Sequence, residues 1–584
     1  MDAVSCPAGR VARVNGPLVE VTGLVGVAMY DIVELGEHLL PGEAVAIRGD
    51  VTTVQAYEYT GGLAPGRPAR SRGGPLSARL GPHLLGGIFD GLLRPLNGAP
   101  AWLEPGYGFT LAEDKEWEFT PQTQAGAAVG EGAGLGSVTV SGGFAYRVLV
   151  PPGVTGTVEK LREAGPAPGD AVIATVSGTD VCLTSTWPVR RPRPYRQRLD
   201  AEAPLVTGQR VVDVLFPVTK GGSCAVPGGF GTGKTVLLQQ ITKWCDADVI
   251  VYVGCGERGN ELADMLSELA DLSDPRTGGK LAARTVVIAN TSNMPMMARE
   301  ASIYSAAAVA EHFRDMGLDV VVVADSTSRW AEALREFASR TGELPAEEGY
   351  PASLSSALAA FYERAGRVLT CEGREGSVTI IGAVSPAGGD MTEPVTAYTQ
   401  RFVRSLWSLD RDLAYARHYP AISWSGSFSR DVGTAAAWHA AAGDRRWEDR
   451  RGRLAALLAE GDRLGSLAEL MGVAALPPVQ RATILAGRLI REGLLQQSAL
   501  SPADAFCDSA RAAALADAIL AVAERCRQLA ESGVPPAAIE DTDFSPILRA
   551  REEAATQEAV TASGQAMLAR LDEMLRHVEE GGTG

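Results

Sequence analysis

The sequence predicts a multidomain α/β protein, and three patterns along its 584 residues carry that prediction. Short alternating segments near the N-terminus are typical of a small β-barrel. Continuous apolar runs in the middle of the chain are typical of strands buried on both faces of a parallel sheet. The C-terminal part is rich in Ala, Leu, Glu and Arg at helical spacing, which predicts a helical domain. Because one core rarely holds so long a chain, we expect three or four domains.

The predicted barrel occupies residues 1–75. Alternating residues 10–14 lead into the turn signal Asn15-Gly16, and a second alternating segment follows at residues 18–21. This arrangement predicts a β-hairpin. Residues 76–109 are then expected to connect the barrel to the central α/β domain.

A second β-rich unit is predicted for residues 110–190, which contain many glycines and a strand-like segment at 146–150. The basic, proline-rich run at 187–194 closes this unit. We interpret this run as a stiff, solvated connector rather than as a binding patch.

The α/β domain is predicted for residues 191–438. Its expected strands include the apolar runs at 249–253, 285–289 and 320–324. Residues 439–584 form the predicted helical domain, which ends in a charged amphipathic helix near residues 568–577. We expect the polar face of this helix to be solvated, since acidic residues dominate it.

The most informative motif is a glycine-rich loop between an apolar segment and a helical pattern. Its residues are Gly228, Gly229, Phe230, Gly231, Thr232, Gly233, Lys234 and Thr235, followed by Val236 at the start of the helix. Glycines let successive N–H groups point at phosphate oxygens, and the helix N-terminus adds its dipole. In such loops the lysine reaches the β- and γ-phosphates and the hydroxyl of the last residue holds Mg²⁺. The motif predicts a nucleoside triphosphate site with Lys234 and Thr235 in those roles.

Two acidic positions follow predicted strands of the same domain. Asp325 ends the apolar run 320–324, where such proteins place the carboxylate that orients Mg²⁺. The alternative is that Asp325 caps the following helix. Glu257 lies between glycines after residues 249–253 and could polarise an attacking water, while Arg258 could compensate phosphate charge. The alternative there is a surface Glu–Arg pair of little energetic weight.

Composition excludes several classes of protein. The net charge of −16 argues against a general nucleic-acid binder. The eight cysteines are scattered without a Cys-x-x-Cys pair, so we expect free thiols, and the six dispersed histidines suggest no zinc site. No signal peptide and no apolar run of membrane-spanning length is predicted. We expect a cytosolic chain that can dock on a membrane complex.

Taken together, these motifs resemble the catalytic A subunit of the archaeal/vacuolar-type (V/A-type) rotary ATPases. The matching stretches are residues 228–236, 254–261, 288–295, 298–304, 324–335, 345–351 and 382–395, and the resemblance extends over nearly the whole chain. It implies a RecA-like P-loop ATPase domain, and it identifies residues 110–190 with the bulge insertion that marks the catalytic chain. It also implies three copies alternating with three non-catalytic B subunits in a ring around a central stalk, with a peripheral stalk and a membrane ion-translocating sector.

The resemblance also implies roles for individual residues. Lys234 and Thr235 would bind the phosphates of ATP or ADP and Mg²⁺, and Asp325 would support the magnesium shell. Glu257 would activate the water and Arg258 would contact the γ-phosphate. Tyr419 would pack on the adenine. A further arginine is expected from the neighbouring B subunit. The implied reaction is ATP hydrolysis or synthesis coupled to proton or sodium transport on the cytoplasmic side of a membrane.

Two positions depart from the family pattern. The family usually has an aromatic residue near the adenine where this chain has Leu500, which can pack on a base but loses ring stacking. Eukaryotic relatives often carry a cysteine in the loop where this chain has Thr232, so redox control through that position is not expected.

Two other functions are consistent with a phosphate loop. A non-catalytic ring subunit would be expected to lack Lys234 or Glu257, and both are present. A related hexameric motor, such as a secretion-system ATPase or a transcription-termination helicase, would lack the bulge insertion. The sequence does not specify the coupled ion, the direction of the reaction in the cell or the activity of the isolated chain.

Overall fold

The computed structural model describes residues 9–100, 103, 115–140, 143–274 and 278–581. The chain divides into two compact units. The first unit comprises Met1–Asp200, Ala247–Val384 and Thr392–Phe402, and the second comprises Ala201–Asp246, Ser385–Met391 and Val403–Gly584. Cys6 and most of residues 101–114, which the sequence assigns to the connection and the start of the insertion, lie outside the described residues.

The N-terminal barrel is closed, with the strand order β1-β2-β5-β4-β3-β6. Its strands are β1 (Gly9–Asn15), β2 (Leu18–Thr22), β3 (Asp31–Leu35), β4 (Leu40–Arg48), β5 (Val51–Ala56) and β6 (Pro68–Pro75). The predicted hairpin joins β1 to β2, and Gly16 adopts a left-handed φ of 58° in its turn. Alternate apolar side chains such as Val19 and Val21 are fully buried inside the barrel. The prediction of a small barrel is confirmed.

The inserted region is also β-rich, as predicted. After β7 (Ser77–Leu80) and β8 (Ile88–Phe89), the described strands are β9 (Glu116–Pro121), β10 (Ala128–Val129), β11 (Gly134–Thr139), β12 (Ala145–Leu149), β13 (Gly156–Leu161), β14 (Gly165–Pro168), β15 (Val172–Val176), β16 (Thr179–Cys182), β17 (Ser185–Pro188) and β18 (Gln197–Leu199). Eight of them form two four-stranded sheets, ordered β10-β13-β15-β16 and β12-β11-β9-β14. Strand β17 returns to pair with β7.

The second unit begins with α1 (Arg210–Leu215), β19 (Ser223–Pro227) and α2 (Lys234–Trp244). The glycine-rich loop therefore lies between a strand and a helix, as its motif requires. Residues 211–215, one of the apolar segments before the loop, form the buried helix α1.

The first unit contains a parallel sheet in the order β24-β22-β20-β21-β8. Its further elements are β20 (Val249–Glu257), α3 (Gly259–Asp271), β21 (Thr285–Thr291), α4 (Met296–Arg314), β22 (Asp319–Asp325), α5 (Thr327–Thr341), α6 (Leu354–Tyr362), β23 (Gly366–Leu369), β24 (Glu375–Val384) and α7 (Pro394–Phe402). Strands β20 to β22 contain the three predicted apolar runs, whose side chains are buried along both faces.

The rest of the second unit is mainly helical. It comprises β25 (Ser405–Leu406), α8 (Arg411–Tyr415), β26 (Phe428–Ser429), α9 (Val432–Ala441), α10 (Trp447–Met471), α11 (Pro478–Ile490), a π-helix at Arg491–Leu495, α12 (Ser509–Glu531), α13 (Pro536–Glu540), α14 (Ser545–Leu548), α15 (Ala550–Glu553) and α16 (Gln557–Gly581). The predicted helical domain and its terminal helix are confirmed. Within the described residues, no helix combines the length and apolar character needed to cross a membrane.

The solvated connector predicted for residues 187–194 is wrong. Val189 is buried, and Arg190 donates to Glu43 of β4 and Glu300 of α4 at 2.5 Å each. Arg193 is buried as well, with Nε 2.6 Å from Asp315 Oδ2. Buried carboxylates on distant elements need a cation, because an unpaired buried charge is costly. Those partners are far away in sequence, so the local composition gave no sign of them.

Glu43 is the most perturbed carboxyl of this junction. It is 1% exposed, and Gln55 of β5 lies opposite it in the sheet. Burial raises the pKa of Glu43 from 4.5 to about 7, with Glu300 adding to the rise, while Arg190 and Tyr57 oppose it. Glu43 therefore keeps its proton in the folded protein at pH values where an exposed glutamate has lost it.

We predict a pH dependence of stability from Glu43. Between about pH 4.5 and about pH 7 the folded state binds more protons than the unfolded chain, so this contribution to the free energy of unfolding falls as pH rises. Glu43→Gln should flatten the fall of the thermal midpoint across that window, and Glu20→Gln on β2 serves as the exposed control. Identical pH slopes for wild type and Glu43→Gln would contradict the raised pKa.

The described cysteines Cys182, Cys224, Cys245, Cys255, Cys371, Cys507 and Cys526 are free. Within the described ranges, no group of three or more His, Cys, Asp or Glu side chains is arranged to hold a metal ion.

Candidate nucleotide site

The phosphate loop connects β19 to α2 in the second unit. Gly231 and Gly233 have left-handed φ values of 79° and 81°, which L-residues with side chains rarely adopt. Thr232 is buried, and its hydroxyl donates to the Gly229 carbonyl at 2.8 Å. The side chain at 232 therefore braces the loop from inside, while Phe230 is 90% exposed.

Two cations flank this loop. Lys234 is the first residue of α2, and its ammonium group donates to the hydroxyl of Ser385. The Arg411 guanidinium packs against Gly229, where an added Cβ would lie 2.9 Å from Arg411 Nε. Sequence reasoning missed Ser385 and Arg411. The signal for Ser385 was its place before a glycine-rich turn directly after an apolar strand.

A cavity of about 370 Å³ adjoins the loop in the second unit. Gly233 and Val236 line one side, and Tyr419 and Leu500 line it as well. The Tyr419 ring lies so close to the Gly233 backbone that a Cβ there would be 3.1 Å from Tyr419 Cε1. Leu500 is 96% exposed. The second unit thus brings together the predicted phosphate-binding residues and both predicted adenine contacts.

The predicted carboxylates lie in the first unit, at the C-terminal ends of neighbouring parallel strands. Glu257 is the last residue of β20, and Asp325 is the last residue of β22. Asp325 is 1% exposed, and the Tyr252 hydroxyl lies 3.4 Å from its Oδ2. Ser326, not Asp325, is the N-cap residue of α5. Asp325 therefore does not hold the capping position that the alternative assigned to it.

The first unit adds a cation beside Glu257 that sequence reasoning missed. The Arg329 side chain packs on Gly256, where a Cβ would lie 2.7 Å from Arg329 Cβ. Hydrogen bonding to Glu332 raises the pKa of Arg329, and the charge of Glu257 contributes to the rise. Arg258 is exposed, and its Nη1 lies 3.5 Å from Glu261 Oε1. The position of Arg329 one turn after Asp325 was the signal for it.

Comparison with family models covers most of the chain. The ATP synthase alpha/beta family is matched by its beta-barrel domain over residues 11–73, its barrel-sandwich domain over 109–190 and its nucleotide-binding domain over 208–429. Residues 436–532 match the C-terminal domain of V and A type ATP synthases. The barrel, insertion, nucleotide-binding and helical regions predicted from the sequence are confirmed.

Individual proteins match nearly end to end. A "V-type ATP synthase alpha chain" of Anaeromyxobacter dehalogenans is 47% identical over 577 residues, 98% of this chain and 99% of that protein. One of Nitrosococcus oceani is 48% identical over 539 residues, 90% of this chain and 91% of that protein. The corresponding chain of the A-type ATP synthase of Methanopyrus kandleri is 46% identical over 539 residues, with the same coverage.

The chain belongs to the V/A-type ATP synthase alpha-chain family. The predicted function, an ATP hydrolase or synthase chain of a V/A-type rotary enzyme coupled to ion transport, is confirmed at the level of this family. Its nucleotide-binding domain supports the prediction that it binds ATP and ADP. The alternatives of a secretion-system ATPase or a non-catalytic ring subunit gain no support from these matches. Membership of this family guides the assignment of roles to the site residues.

Proposed function

We propose that this chain is the site of ATP chemistry in its rotary enzyme and that Lys234 and Thr235 hold the phosphates. The observation that carries the proposal is the phosphate loop between β19 and α2, with left-handed Gly231 and Gly233. Backbone N–H groups of residues 228–236 and the α2 dipole supply positive potential. Lys234 adds a full positive charge at the first residue of α2.

Magnesium is the implied metal, and the available donors suit it. Asp325 offers a buried carboxylate and Thr235 a half-buried hydroxyl, and Mg²⁺ prefers oxygen ligands. We propose that Thr235 ligates the ion and that Asp325 orients its water shell. When bound, Mg²⁺ would neutralise charge on the β- and γ-phosphates.

We propose Glu257 as the residue that polarises the attacking water, and Arg258 as a contact to the γ-phosphate. Glu257 is partly exposed at the end of β20, where a carboxylate can meet both water and ligand. The left-handed Gly256 before it leaves room for close backbone approach. Arg258 is exposed beyond its contact with Glu261, so its guanidinium is accessible to an anionic ligand.

For the adenine we propose Tyr419 and Leu500 as the packing residues. Tyr419 presents a half-exposed ring to the cavity, and Leu500 presents an aliphatic side chain. A stacked aromatic contact adds about 0.5–1.5 kcal/mol beyond area burial, which Leu500 cannot supply.

We predict that Leu500→Phe tightens ADP binding by about two- to tenfold, because a ring in place of Leu500 can stack on the base. Calorimetric titration with ADP measures the change. Leu470→Phe, at another exposed leucine of the second unit outside this cavity, is the control and should leave affinity unchanged. An unchanged affinity for Leu500→Phe would show that Leu500 does not contact the base.

The assembly is also part of the proposal. We propose three copies of this chain alternating with three B subunits, attached through central and peripheral stalks to a membrane sector that carries protons or sodium ions. The chain would lie peripherally on the cytoplasmic side. The proposed domains are 1–75, 76–109, 110–190, 191–438 and 439–584, and no nucleic-acid partner is proposed.

Magnesium-dependent ATP hydrolysis by the chain alone and with its B partner tests this proposal. A partner arginine that completes the site should raise turnover by about 10³-fold or more. The isolated chain should therefore be weakly active. Full activity of the isolated chain would overturn the requirement for a partner, and inactivity of both would overturn ATP chemistry at this chain.

A further inference from the structure

The adenine cavity contains four glutamines, and one of them differs from the other three. Gln209, Gln496 and Gln497 each donate Nε2 to a backbone carbonyl, of Ala505, Arg417 and Gly208 respectively. Gln240 of α2 lines the same cavity, and in the described part of the chain no hydrogen bond is made by its Nε2. An unpaired amide donor is thus present in the cavity wall.

The orientation of the Gln240 amide is fixed by Trp244, one helical turn later. The Trp244 indole N–H lies 3.1 Å from Gln240 Oε1. Because an indole nitrogen can only donate, the amide oxygen must face it and the NH₂ group must face away. Trp244 is itself held by the Phe506 ring, with centroids 5.2 Å apart and planes 30° apart.

Burial makes this donor significant. Gln240 is only 8% exposed, and it lies one turn after Val236 on the face of α2 that lines the cavity. A buried donor left without an acceptor costs about 1–3 kcal/mol, so a ligand that supplies an acceptor gains affinity. Adenine offers ring nitrogens as acceptors, whereas its amino group is mainly a donor.

We propose that Gln240 is a base-recognition residue whose Nε2 donates to a ring nitrogen of the adenine, and that Trp244 is the positioning residue that orients it. This inference rests on the proposed function, because it assigns a contact within the same nucleotide site. Tyr419 and Leu500 would pack on the faces of the base, and Gln240 would bind its edge. Sites built to hydrogen-bond a ligand discriminate against analogues that lack the matching group.

The test measures ADP binding to the full chain in complex with its B partner. The ligands are ADP and its 1-deaza, 3-deaza and 7-deaza analogues, each of which replaces one ring nitrogen by carbon. Wild type should lose about three- to tenfold in affinity for one analogue. Gln240→Met, which keeps shape and removes the donor, should lose a similar factor for ADP and none further for that analogue.

Two more variants separate recognition from structure. Trp244→Phe keeps the ring beside Phe506 but removes the N–H, so it should reduce the difference between ADP and the sensitive analogue. Gln239→Met, at the neighbouring position of α2 outside the cavity wall, should behave as wild type.

Three results would overturn the inference. They are equal wild-type affinity for ADP and all three analogues, unchanged ADP affinity in Gln240→Met, or a loss in Gln240→Met that is the same for every ligand. The first result needs no variant and so holds even if Gln240→Met folds poorly. Failure of wild type to bind ADP would instead overturn the proposed function, and this inference with it.

Discussion

Glu257→Gln in the assembled enzyme is expected to lower steady-state MgATP hydrolysis by about 10²–10⁴-fold, the range contributed by a general base. Glutamine keeps the size of the side chain at the end of β20 but removes the charge that attracts a proton. Nucleotide affinity should change little, because the phosphate loop and the adenine cavity belong to other residues of the chain. A fall in turnover with unchanged binding indicates an interaction made mainly in the transition state.

The matched control is Glu261→Gln, which lies one turn into α3 and pairs with the exposed Arg258. Exposed pairs of this kind contribute about 0–1 kcal/mol, so turnover should stay within about fivefold of wild type. Turnover is measured with a coupled assay, and ATP binding with the same preparations. Equal activity of Glu257→Gln and wild type would transfer the base role to another residue.

The sequence predicted the parts of this protein that depend on local patterns. Alternation and the Asn15-Gly16 turn predicted the β1–β2 hairpin, and β-branched runs predicted β20, β21 and β22. The glycine spacing predicted a phosphate loop because left-handed backbone at Gly231 and Gly233 needs glycine. These features arise from neighbouring residues and are therefore visible without knowledge of the fold.

Interactions between distant residues could not be predicted in this way. The basic run at 187–194 resembles a solvated connector until Glu43 and Glu300 meet Arg190 across more than a hundred residues. The donor of Gln240 likewise has meaning only once Trp244 fixes its oxygen and the cavity lies beside it. Buried polar pairing depends on tertiary structure, and a single sequence carries no record of the partners.

Arg210→Met is expected to cause the largest structural effect, because Arg210 and Asp504 form an ion pair with both side chains 0% exposed. Arg210 Nη1 lies 2.7 Å from Asp504 Oδ1, and its other guanidinium groups donate to the carbonyls of Leu494 and Gln496. Removing the cation leaves a buried, uncompensated carboxylate, a change that costs about 3–5 kcal/mol. The segment that lines the adenine cavity near Gln497 would lose three anchors at once.

Hydrogen–deuterium exchange at the amides of residues 496–498 measures this loss locally. We expect exchange there to accelerate by about 100-fold or more in Arg210→Met, with weaker ADP binding. Adding Asp504→Asn should recover much of the protection, since it removes the stranded charge and keeps an acceptor for the Ser498 amide. Arg445→Met, at an exposed arginine of the same unit, is the control and should change local stability by less than about 0.5 kcal/mol. Unchanged exchange in Arg210→Met would mean that the backbone contacts of α1 hold this segment without the ion pair.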